Sequence, residues 1–164
     1  MNFENIDAVW KPHVTVAAVI EDNGRFLMVE EETELGTVLN QPAGHLEKNE
    51  DLVSAMLRET LEETAWEVEP DSLIAVYRWP HPHLDITYLR FAFAARPIRQ
   101  LPDRALDEGI IAARWMDLDS LRANRQRLRG PQVWQCIEDY LHGDRLPLSC
   151  LKELHYPDSP LNED

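Results

Sequence analysis

Apolar positions in the first third of the chain fall into short β-branched runs. Residues 13–20 read His-Val-Thr-Val-Ala-Ala-Val-Ile, which by length and Val/Ile content is a buried strand. Asp22-Asn23-Gly24 is a turn signal, and residues 25–30, with Phe26, Leu27, Met28 and Val29, form the returning arm of a hairpin. Residues 31–36 are expected to be a polar loop. Asn40-Gln41-Pro42-Ala43-Gly44 contains both breakers and is excluded from a helix interior.

The period then changes from two to between three and four. Asn49 is the expected N-cap of a helix whose first turn carries Glu50 and Asp51, where the helix dipole favours negative charge. Val53, Met56, Leu57, Thr60, Leu61 and Thr64 make one core-facing stripe along it. Residues 73–79 and 85–95 look like two strands joined by the turn-rich Pro80-His81-Pro82-His83. A loop is expected over 97–108 and a short strand over 110–116. Gly130-Pro131 opens a last helix with the stripe Val133, Trp134, Ile137, Tyr140 and Leu141, closed by Gly143. Strands interrupted by one strong helix and closed by another predict an α/β sandwich with a mixed β-sheet. One domain is expected over 10–155, between a flexible N-terminus at 1–9 and a loose C-terminal tail at 156–164.

Composition narrows the functions open to such a fold. With 164 residues and 44% hydrophobic content the chain buries a real core. It carries 16 Lys and Arg against 30 Asp and Glu, a formal net charge of −14. There is no basic footprint for long nucleic acid or an anionic membrane. An anionic substrate needs something positive between it and such a protein, and a divalent metal is the obvious candidate. The apolar run at 14–20 is too short to span a bilayer. Met1-Asn2-Phe3-Glu4-Asn5 lacks the basic lead of a secretory signal, and Cys136 and Cys150 have no Cys-x-x-Cys spacing. A reducing, cytoplasmic setting is therefore expected.

The candidate chemistry lies on the first helix. Glu59, Glu62 and Glu63 stand at i, i+3 and i+4, on one stripe expected to point largely away from the apolar one. Like charges one turn apart weaken a bare helix, so folding alone gives no reason to gather them. Two readings remain: a solvated acidic face, or carboxylates collected for a hard cation such as Mg²⁺ or Mn²⁺. Arg58 beside them pairs with Glu50 or orients one carboxylate. Elsewhere, Lys11, Arg25, Arg78 and Arg90 are candidates to reach a phosphate. Arg90 is the best of them, because an arginine inside an apolar strand wants an anionic partner. Trp79, His81 and His83 at a strand-to-loop junction offer rings for stacking on a base. His81-x-His83 has a zinc-like spacing but no third ligand.

The spacing decides between the two readings of the acids. Gly44, five residues, Glu50, seven residues, then Arg58-Glu59-Thr60-Leu61-Glu62-Glu63-Thr64-Ala65-Trp66 closely resembles the Nudix box, Gly-x5-Glu-x7-Arg-Glu-U-x-Glu-Glu-x-Gly-U with U apolar. Two positions depart from it. Thr60 replaces an aliphatic residue, and Ala65 replaces a glycine, at a cost of about 1 kcal/mol if that position needs φ > 0. Over roughly residues 10 to 150 the chain is further similar to the phosphatase branch called NudJ. The supporting segments are Lys11-Pro12-His13-Val14-Thr15-Val16-Ala17, Asn40 to Glu47, Leu89-Arg90-Phe91 and Arg114-Trp115.

The resemblance implies a Nudix-type α/β/α sandwich and a metal-dependent phosphohydrolase. Its action would be removal of a terminal phosphate from nucleoside di- or triphosphates, or from thiamin-type pyrophosphates. Glu59, Glu62 and Glu63 would hold the ion, with the Gly44 carbonyl. The general base would be Glu62 or Glu63, or an acid of the later loop, Asp107 or Glu108. Arg58 would serve catalysis, and Arg90, Trp79, His81 and Gln41 would contact substrate. Two other functions compete: a Nudix enzyme for dinucleoside polyphosphates, ADP-ribose or capped RNA, and a non-catalytic nucleotide-binding module. All four box glutamates are present, whereas non-catalytic modules typically lose them. The expected partner is a small phosphorylated metabolite, with the protein as monomer or dimer.

Overall fold

The computed structural model describes residues 9–34 and 36–154; the ends expected at 1–9 and 156–164 fall, except for Val9, outside them. Strand β1 (His13–Asp22) is the spine. Along one edge it pairs in parallel with β6 (Thr87–Gln100), from His13 opposite Tyr88 to Ile20 opposite Ala95. β6 in turn pairs antiparallel with β5 (Trp66–Pro80), which carries the short β8 (Leu146–Pro147) on its far side. The other edge of β1 is divided. β4 (Ala43–His45) takes its first half, and β2 (Arg25–Thr33) meets it only at Glu21 and Asp22. Beyond that turn β2 swings away and continues between β3 (Gly36–Asn40) and β7 (Ile110–Asp117). The sheet is therefore mixed and open, and it forks beside β1.

Both faces are covered, giving the expected α/β/α sandwich. Alternate residues of β1 point to opposite sides. Val16, Ala18 and Ile20 pack with Met56 and Ala55 of α1 (Leu52–Thr64). Val19 packs with Val133, Cys136 and Ile137 of α3 (Pro131–His142) and with Leu121 of the short α2 (Leu118–Ala123). A strand buried on both sides explains why 13–20 reads as a continuous apolar run. Among the described residues no helix is long and apolar enough to cross a membrane.

Several expectations are corrected. The N-cap of α1 is Asp51, whose carboxylate accepts from the Ser54 N–H at 2.8 Å; Asn49 instead adopts a left-handed φ of 66°. The polar loop expected over 31–36 is largely strand, because β2 runs to Thr33 and β3 begins at Gly36. β5 starts at Trp66 and β6 runs to Gln100, well beyond the apolar cores of their sequences. Leu141 is exposed, although its helical spacing predicts a place on the core stripe. Thr60, the departure from an aliphatic position, is fully buried, and its hydroxyl lies 3.8 Å from the Met56 sulfur. Ala65 takes the left-handed conformation at the end of α1, with φ 57°, and donates to the Leu61 carbonyl.

Candidate active site

Arg58 organises the acidic helix. Its Nε and Nη2 grip the two oxygens of Glu50 at 2.8 and 3.0 Å, a fork that holds Glu50 well below the usual carboxylate range. Its Nη1 donates to Glu59 at 2.8 Å and to Glu62 at 3.1 Å, and Nη2 also reaches the His45 carbonyl at 3.1 Å. One guanidinium thus ties the loop before α1, the helix itself and β4 together. It also offsets the repulsion among acids that costs a helix stability.

Glu59 and Glu63 point towards β4. A Cβ on Gly44 would lie 2.1 Å from the Glu59 carboxylate, so only glycine lets that carboxylate rest against the strand backbone. The Ala43 N–H donates to Glu63 at 2.8 Å. Glu63 is 9% exposed, contrary to the expectation that the acid stripe faces away from the core. Burial is the main cause that pushes its carboxyl up to about 8, with the charges of Glu31, Glu59 and Asp107 adding to it. Burial likewise raises Glu59, against the pull of Arg58. Of the two later acids, Asp107 is the one whose charge acts on Glu59 and Glu63, and its N–H donates to the Glu62 carbonyl at 3.0 Å. Both acids are exposed, with Glu108 on the adjoining turn.

Among the described residues no three His, Cys, Asp or Glu side chains converge closely enough to cage an ion by themselves. The chemistry of the donors nevertheless fits a hard divalent cation. They are all oxygens, and the side-chain-free Gly44 backbone stands directly against Glu59.

Where the sheet forks, a cavity of about 450 Å³ opens. Gly44 and Glu63 line one part of it. Trp79, His81 and Tyr88 form an aromatic wall: Trp79 and Tyr88 face each other across β5 and β6 with centroids 5.6 Å apart and planes 20° from parallel, and His81 stands 5.4 Å from Trp79. Arg90, 6% exposed, also lines the cavity. Its Nη2 donates to Gln41 at 2.8 Å and to Asn40 at 3.3 Å, and among the described residues no carboxylate pairs with it.

The expected substrate residues thus separate. Trp79, His81 and Arg90 line the cavity. Gln41, 1% exposed, lies beneath it and holds Arg90 while donating to the Val133 carbonyl at 2.7 Å. Lys11, Arg25 and Arg78 are outside the lining. Sequence reading passed over Glu31, Arg129 and Gln132, which also line it. The signal for Glu31 is its spacing of two from Val29 on an inward-facing strand position, hidden because 30–32 is a run of glutamates.

The mixed sheet sandwiched by helices, with glutamates of α1 set against β4, is shared with hydrolases acting on phosphoanhydride bonds. The chain belongs to the Nudix family: the NUDIX domain model matches residues 11–134. It is 38% identical over 149 residues to the phosphatase NudJ of Escherichia coli K12, covering 91% of this chain and 96% of that protein. The same protein from Shigella flexneri matches equally. A NUDIX hydrolase from Nitrosomonas europaea superposes with a TM-score of 0.86 at 46% identity, over 88% of this chain and 98% of that one. A MutT NUDIX hydrolase from Burkholderia pseudomallei shares the fold, with a TM-score of 0.63 at 23% identity over 79% and 98% of the two chains.

Proposed function

We propose that this hydrolase is a Mg²⁺-dependent phosphatase, with Mn²⁺ as an alternative ion. It removes the terminal phosphate of nucleoside di- or triphosphates or of thiamin-type pyrophosphates. The observation that carries this reading is one cavity joining Gly44 and Glu63 to the Trp79 wall and the buried Arg90. The first part suits an ion and a phosphate chain, the second a planar ring. The likeness to the phosphatase NudJ supports the same direction.

Glu59, Glu62 and Glu63, with the Gly44 carbonyl, would hold the ion. When bound, such an ion neutralises phosphoryl oxygens and makes water more acidic. Arg58 keeps Glu59 and Glu62 aimed and Glu50 tied back. Glu62 or Glu63 would accept the proton from water, the bound ion offsetting the burial that raises Glu63 in the metal-free chain, and Asp107 is the later-loop acid closest to that role. Arg90, with no carboxylate partner among the described residues, attracts the substrate's negative charge. Trp79 and His81 pack against its ring.

Product identity tests the reading. A nucleoside triphosphate should yield the diphosphate plus orthophosphate. Release of pyrophosphate with a monophosphate would contradict it, and would favour a Nudix enzyme of another substrate class.

A further inference from the structure

The ladder between β5 and β6 ends at Pro80 opposite Thr87, and the loop over 81–86 borders the cavity through His81 and Leu84. Its bonds are internal. The His81 N–H donates to the Ile86 carbonyl at 2.8 Å, and the Ile86 N–H to the Leu84 carbonyl at 2.7 Å. The His81 Nδ1 accepts from the N–H groups of His83 and Leu84 at 3.2 and 3.1 Å. These are the bonds of an Asx turn, with a ring nitrogen in place of the amide or carboxyl oxygen. A nitrogen that receives two N–H groups carries no proton, so the neutral ring bears its proton on Nε2. Pro82, between the two ends of this turn, adds a fixed φ.

Both backbone polar groups of Leu84 are thus bonded within the loop. Its side chain is 54% exposed and lines the same cavity as Trp79 and Tyr88. An exposed leucine alone means little, because much of any protein surface is apolar. One whose backbone is fixed on both sides, on the wall of a cavity with an aromatic face, is a preformed apolar contact.

We propose that Leu84 is a specificity-determining residue for the substrate's ring and that His81, through Nδ1, is its positioning residue. With Trp79, Leu84 selects phosphate esters that carry a planar heterocycle over sugar phosphates and bare polyphosphates. The proposal rests on the reading above for the phosphate chain, which lies towards Gly44 and Glu63. It gives His81 a task beyond ring packing: without its acceptor, Leu84 is no longer held where the ring arrives.

Calorimetry in Mg²⁺ buffer tests this with adenosine monophosphate and ribose phosphate, the same molecule without the ring. The wild type should bind the nucleotide about tenfold more tightly, the worth of a base on an aromatic face with an apolar neighbour. Leu84→Ala should weaken the nucleotide about fivefold and leave ribose phosphate within about twofold. His81→Ala should do the same, with little further loss when added to Leu84→Ala, because the two act as one unit. His81→Asn, whose Oδ1 takes the place of Nδ1, should recover most of the affinity. NMR of the wild type at about pH 8.5 should find the His81 ring proton on Nε2. A wild type that gains no affinity from the ring, an undiminished gain in Leu84→Ala, His81→Asn as weak as His81→Ala, or a ring proton on Nδ1 overturns the assignment. Release of pyrophosphate from a nucleoside triphosphate, with this binding pattern intact, removes the phosphatase reading and leaves the roles of Leu84 and His81 standing.

Discussion

Glu63 is the most strongly perturbed acid of the site, and its environment has a consequence for stability. Burial raises it from 4.5 to about 8. Across that window the folded, metal-free protein keeps a proton that the unfolded chain has released. Stability should therefore fall as pH rises from about 4.5 to about 8 and level off above it. In Glu63→Gln the side chain is neutral throughout, so the decline should be shallower. Denaturation midpoints at about pH 5 and about pH 8.5 check this, and equal slopes for wild type and variant would refute it. At Ala65 the left-handed φ of 57° costs about 1 kcal/mol or more for a residue with a Cβ. Ala65→Gly should raise stability by a smaller net amount, because the Ala65 methyl is itself buried. Urea titration measures the difference. At this scale the sequence spoke clearly for the charged positions and for the strain at Ala65. It was silent on Glu63's burial, since spacing alone cannot say how far a helix sinks into its neighbours.

At the scale of elements, the contact between β4 and α1 is decisive. Gly44 leaves room for the Glu59 carboxylate, and Arg58 bridges from α1 to the His45 carbonyl. Gly44→Ala should displace Glu59 by an ångström or more and lower activity about 100-fold, with helix content unchanged by circular dichroism. Activity within about twofold of wild type would remove Glu59 from the site. The strongly periodic segments were legible: β1, the hairpin to β2, α1 and α3. Short strands were not. β3 and β4 flank Pro42, carry few β-branched residues, and exist because β2 and β1 offer them partners. The acidic end of β2 read as loop because its charges are answered from far along the chain. Arg114 and Arg127 bind Glu30, and Arg129 binds Glu31, across separations of 84 to 98 residues.

For the whole molecule, the fork in the sheet is what joins two chemistries. One edge of β1 serves β4 and then β2, and the space between them becomes the cavity. The fold class followed from the order of elements, and the box of acids followed from spacing. The cavity did not, because its lining is drawn from strands, loops and both α1 and α3, spread over the chain from Thr15 to Gln132. A net charge of −14 keeps the surface hostile to anions, so a substrate phosphate is favoured only where a cation or the buried Arg90 stands.

Orthophosphate release from a nucleoside diphosphate, followed as Mg²⁺ is added to chelator-treated protein, tests the central claim most directly. Activity should be absent without the ion, return with it, and drop by at least about 100-fold in Glu62→Gln and Glu63→Gln at every Mg²⁺ concentration. Full turnover in the presence of chelator, or in either variant, would contradict it.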